Sequence, residues 1–99
     1  MSIVAYILDV MQEEYDRLIG KKAFYVKLMQ ELKHGSIQMK KIKGREYAYL
    51  CYREKDKVIS QYIRPEELEK VKAEITQYKQ SKDALKNINA NLKLIRRML

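Results

Sequence analysis

The sequence predicts an α+β fold that is mainly α: two long antiparallel helices forming a coiled-coil-like hairpin, with a three-stranded antiparallel β-meander at the tip. Two observations carry this. Apolar residues recur every three or four positions at both ends of the chain, and between Gly35 and Pro65 the period changes to strand-like alternation. The 99 residues read as a single domain, with the first helix in residues 1–34, the meander in 35–64 and the second helix in 65–99.

The first helix is set by a heptad-like seam through Val4, Leu8, Met11, Tyr15, Leu18, Tyr25, Met29 and Leu32, in which Lys22 is the one polar member. The seam predicts a helix over residues 2–33, about 48 Å long at 1.5 Å per residue. Gly20 weakens it by about 1 kcal/mol relative to Ala. His34-Gly35-Ser36 ends it, and Gly35 suits the left-handed position that follows a helix. Ile3, Ile7, Val10, Ile19, Phe24, Val26 and Leu28 lie beside the seam, a wider apolar surface than one neighbouring helix covers. A homodimer is therefore expected, most simply four helices from two hairpins.

In the middle of the chain, Tyr47, Tyr49 and Cys51 alternate with Ala48, Leu50 and Tyr52 in an aromatic-rich run that predicts a strand. Lys43-Gly44-Arg45 and Glu54-Lys55-Asp56-Lys57 are turn signals on either side, placing flanking strands at about 37–42 and 58–63. Arg64-Pro65-Glu66-Glu67 opens the second helix, with proline where its missing N–H is harmless and acids at the positive end of the dipole. Its stripe runs through Leu68, Val71, Ile75, Tyr78, Leu85, Ile88, Leu92, Ile95 and Leu99, with one slip near Ser81-Lys82.

Net charge is +8, unevenly distributed. Residues 1–35 carry five bases and five acids, whereas residues 36–64 carry eight bases against three acids. After Ile75, six bases face Asp83 alone. The positive field belongs to the meander and the last helix, which points to an anionic partner. A chain this short has a thin core, and Cys51, the single cysteine, cannot form an internal disulfide. The N-terminal run Ile3-Val4-Ala5-Tyr6-Ile7-Leu8 lacks the flanks of a signal peptide and the length of a membrane span. With a lone thiol and no glycosylation sequon, a cytoplasmic protein without membrane contact is expected.

Several chemistries lack their signatures. The single histidine, His34, offers no nucleophile–base pair and no metal-ligand spacing, and its place at a helix end suits a solvated dipole complement. Phosphate-loop and dinucleotide glycine patterns are missing. Glu13 with Glu14, and Glu66 with Glu67 and Glu69, lie where solvated or capping carboxylates are ordinary. The expectation is no enzyme, no cofactor and no metal.

What stands out is the run Lys40 to Arg53, where bases and aromatics interleave at strand spacing. Lysine and arginine neutralise phosphates, and tyrosine rings stack on bases. The plainer account makes these tyrosines the half-buried face of a small sheet and the lysines guards against edge pairing. Across this run and its flanks, Gly35-Ser36-Ile37, Lys43-Gly44-Arg45, Tyr47, Tyr49-Leu50, Tyr52-Arg53-Glu54, Lys57-Val58 and Tyr62-Ile63 form a string that resembles an element of small uncharacterised prokaryotic proteins. It is also loosely similar to an N-terminal segment of some insertion-sequence transposases. The resemblance implies a mobile-element or phage-like context and favours DNA over RNA. It transfers no catalytic residue, because nothing here matches a transposase acidic triad. The chain departs from the element at its second turn, which carries Glu54-Lys55-Asp56-Lys57 in place of a glycine-rich sequence.

The functional expectation is a dimeric nucleic-acid-binding accessory protein, in which Lys40, Lys41, Lys43, Arg45, Arg53 and Lys57 meet phosphates and Tyr49 or Tyr52 stacks. Arg45 is the leading residue, since it follows the turn glycine. The alternative is a helical interaction module, an adaptor or inhibitor of a partner with an acidic surface, using Ile3, Val4, Tyr6, Ile7 and Leu8 as its contact.

Overall fold

The computed structural model describes residues 2–99; Met1, the first residue of the expected helical segment, lies outside the described residues. The fold is α+β and mainly α, with two helices and a three-stranded antiparallel sheet in the order α1 (Ile3–Glu31), β1 (Ser36–Ile42), β2 (Arg45–Glu54), β3 (Lys57–Ile63) and α2 (Leu68–Met98). The chain divides into two compact units, one formed by residues up to Glu31 together with Ser81–Leu99, the other by Leu32–Gln80.

In the first unit, Ser2 starts α1 by capping it: its hydroxyl accepts a hydrogen bond from the Ala5 N–H at 3.2 Å, satisfying one of the unpaired donors of the first turn. The seam residue Leu18 is buried with Ile88 and Leu92 of α2, and half-buried Tyr15, Tyr25 and Ile95 complete the cluster. The Arg96 guanidinium donates to the Tyr15 hydroxyl at 3.2 Å, tying the end of α2 to the first half of α1 and marking the two helices as an antiparallel hairpin here. The seam does not stay covered to its start. Val4 is 66% exposed and Leu8 is also exposed, because the buried stripe of α2 ends at Ile95 and the residues after it are solvent-facing. At the slip in the α2 stripe, Ser81 occupies the apolar face and is itself buried, so the stripe continues through a small polar residue.

The second unit is the meander packed on the first half of α2. Ala48, Leu50 and Ile63 from the sheet are buried against Val71 and Ile75, with Ile37, Tyr52 and Leu68 around them. Strand alternation puts Ala48, Leu50 and Tyr52 on one side of β2. The strands begin and end where two-residue turns permit. Lys43 and Gly44 both have positive φ, as hairpin turns of type I′ require, and pairing runs up to Ile42↔Arg45. The second turn closes without glycine: Lys55 takes φ 54°, and Glu54 pairs with Lys57. The middle strand is therefore longer than the expected 47–52.

Two boundaries differ from expectation. α1 ends at Glu31, not at residue 33, and Gly35 does not follow the helix directly. Its φ of 120° instead serves the approach to β1, where the backbone passes so close to β2 that a Cβ would overlap the Cys51 carbonyl oxygen and crowd the Tyr52 Cβ. Pro65–Glu67 form a single 3-10 turn before α2 proper, with Arg64 extended ahead of it and Glu66 and Glu67 at the positive end. Among the described residues, no helix is long and apolar enough to cross a membrane.

Candidate nucleic-acid interface

The hairpin register decides which of the basic and aromatic residues share a face. Directly opposed residues in an antiparallel sheet point to the same side. On the side away from α2, Lys40 stands opposite Tyr47, Gln38 opposite Tyr49 and Ile42 opposite Arg45. Across the other ladder, Tyr49 stands opposite Tyr62, Cys51 opposite Ser60 and Arg53 opposite Val58. This outer face thus collects Lys40, Arg45 and Arg53 with three tyrosines. It contains no acidic side chain among the described residues.

Its side chains are organised around Tyr62. The ring centroids of Tyr47 and Tyr49 lie 6.1 and 5.8 Å from that of Tyr62, inclined at 61° and 63°, in the edge-type geometry that aromatic quadrupoles prefer. Tyr47 and Tyr49 are half-buried by these contacts, whereas Tyr62 is 51% exposed. The Lys40 ammonium sits 4.5 Å from the Tyr49 ring centroid, a cation–π contact, and reaches the Ser60 hydroxyl at 3.5 Å. Cys51 donates to the same hydroxyl at 3.7 Å.

The remaining expected residues fall elsewhere. Lys41 and Lys57 project from the other side of the sheet, where each stands directly opposite an acid, Glu46 and Glu54 respectively, so their charge is offset locally. Tyr52 is also on that side. Its ring is half-buried, 5.6 Å from His34, which stacks on Tyr78 at 4.9 Å and 23°. Tyr49 and Tyr52 therefore do not belong to one surface. Lys43 occupies the first turn, separated from Arg45 by Gly44. His34, expected as a solvated dipole complement, is exposed and also has two aromatic neighbours, Tyr52 and Tyr78. The N-terminal apolar residues belong to the first unit: Ile3 is 78% exposed, and Val4, Tyr6, Ile7 and Leu8 are exposed with it.

Tyr47 and Tyr62 are the face residues that the expected set omitted. A signal for Tyr62 existed. If the second turn has two central residues, Glu54 pairs with Lys57, and counting back along both strands brings Tyr49 opposite Tyr62. The arrangement suits binding: cations for an anion, ring faces for a planar group, and donors in Lys40, Arg45 and Arg53.

The model of a domain family described as a domain of unknown function, DUF6788, matches residues 6–73, more than half of the chain. The match takes in nearly all of α1, the whole meander and the start of α2. No curated protein and no solved structure matches the chain.

Proposed function

The chain belongs to the DUF6788 family, and we propose that it is a non-enzymatic nucleic-acid-binding accessory protein that contacts phosphates through the outer face of its meander. One observation carries this reading: Lys40, Arg45 and Arg53 share an open face that holds no acid among the described residues, while the acids of the same strands stand on the other side. Such a face concentrates positive potential with no internal counter-charge, and a phosphate backbone relieves it. Contacts of this kind fix position and carry little sequence information, so specificity is low. The loose resemblance of the Gly35–Ile63 string to an N-terminal segment of some insertion-sequence transposases leads us to favour DNA as the ligand and a mobile-element or phage-like context. We place the protein in the cytoplasm, as a homodimer whose second copy covers the apolar residues that α1 leaves open.

Fluorescence anisotropy with labelled DNA and RNA across a salt series tests this on the full chain. Affinity falls log-linearly with salt, and the double variant Arg45→Ala, Arg53→Ala shows weaker binding with a slope smaller by about two phosphate equivalents. Absence of binding near physiological salt, or an unchanged slope in the variant, sinks the proposal.

A second reading, a helical module that docks on a partner protein, is favoured by one observation: the first two turns of α1 are apolar nearly all round and exposed. Sedimentation separates the two occupants of that surface. A dimer supports the second copy; a monomer leaves the surface free for a different protein.

A further inference from the structure

We infer that the outer face of the sheet takes unpaired bases, so that its nucleic-acid ligand is single-stranded, with Tyr62 as the principal stacking ring. This rests on the phosphate-binding reading above and adds the strand state of the ligand.

The aromatic content of the face is its first support. Phosphate contact needs only the cations, yet the same face carries Tyr47, Tyr49 and Tyr62. Cross-strand packing accounts for the two half-buried rings. It does not account for Tyr62, which leaves half of its surface in water on the edge strand while two neighbouring rings fix its position. Because both contacts are steeply inclined, Tyr62 lies flat on neither of these neighbours, and its parallel stacking capacity is unused by them. A base supplies the missing partner, and every base has a face to offer.

Charge placement is the second support. The Lys40 ammonium is held over the Tyr49 ring beside Tyr62, and Arg53 lies along the same strand face. A base stacked on Tyr62 therefore brings its own phosphates towards the cations of the same face. A cluster of rings flanked by cations on one surface suits the bases and phosphates of a flexible single strand.

A duplex fits this face poorly. Its bases are already stacked on both sides, and exposing one costs a few kcal/mol per step. The major groove, about 12 Å wide, admits a helix or a two-stranded ribbon, whereas this face spans three strands spaced at about 4.8 Å with side chains at each margin.

The test uses the full chain and two labelled probes, a thymidine oligonucleotide and a mixed-sequence duplex of equal length, in anisotropy titrations at several salt concentrations. The expected result is at least about tenfold tighter binding to the single strand. Tyr62→Ala then loses about ten- to a hundredfold in affinity for it with the salt slope unchanged, while Tyr62→Phe keeps it. Tyr62→Leu preserves apolar bulk without a ring face and loses affinity like the alanine variant, which removes misfolding as the explanation. If the duplex binds as tightly as the strand, or Tyr62→Leu binds like wild type, the inference falls while the phosphate-binding reading stands on the arginine variants. If neither probe binds, both fall.

Discussion

The two units of this protein meet the same requirement, burying apolar surface in a short chain, with unequal success. In the Leu32–Gln80 unit, five buried residues from the sheet and α2 form one cluster, and strand alternation sends Tyr47, Tyr49 and Tyr62 outward. In the helix-pair unit, three apolar residues among those described form the buried cluster, and α1 leaves Ile3, Val4, Tyr6, Ile7 and Phe24 in water. A sheet face has two sides and a helix on one of them suffices. A helix as apolar as α1 needs a neighbour on more than one side. The contrast divides the labour proposed here: the sheet unit has a settled core and a face free for a ligand, and the helix unit has a surface that calls for a second chain.

The largest effect that sharpens this contrast is expected in the sheet core. Leu50 is 3% exposed at the centre of the middle strand, and Leu50→Ala costs about 2–5 kcal/mol as cavity and lost transfer energy combine. Leu92, 2% exposed in the helix pair, has fewer buried neighbours, so Leu92→Ala is expected at the lower end of that range. Urea unfolding followed by circular dichroism compares them; a larger loss for Leu92→Ala reverses the ranking of the two cores. Next comes the open face of α1. The double variant Ile3→Ser, Ile7→Ser removes only exposed apolar groups, so its effect on the stability of the isolated protomer stays within about 0.5 kcal/mol. In sedimentation it shifts a dimer towards monomer. A wild-type monomer, or a dimer indifferent to these changes, breaks the assignment of that face to a second copy. The smallest effect has the opposite sign. Lys55 holds a left-handed φ without being glycine, at a cost of about 1 kcal/mol, so Lys55→Gly raises the midpoint of unfolding modestly. No gain there would mean that the flexibility glycine adds to the unfolded chain cancels the relief.

Both helices, the three strands and their order were legible from residue periods and from the punctuation of Gly35, Gly44 and Pro65. These are local properties: a stripe of apolar residues states its own period, and turn residues state where it stops. The end of α1 was less so, because Gly35 looked like the end of a helix when its left-handed backbone is demanded by the close passage of β2, a neighbour distant in sequence. The basic, tyrosine-rich character of the meander was equally visible, and with it the candidate ligand class.

Only the tertiary structure sorted those residues into faces. Alternation says that Tyr49 and Tyr52 differ in side, but not which side α2 covers; packing of Ala48 and Leu50 on Val71 and Ile75 decides that, and leaves Tyr49 outward and Tyr52 inward. Pairing then adds Tyr62 to the outer face and sets Glu46 and Glu54 against Lys41 and Lys57 on the other. The reason is physical: composition and period are carried by the chain itself, whereas the neighbours of a strand residue belong to other strands, and their identity exists only once the register closes.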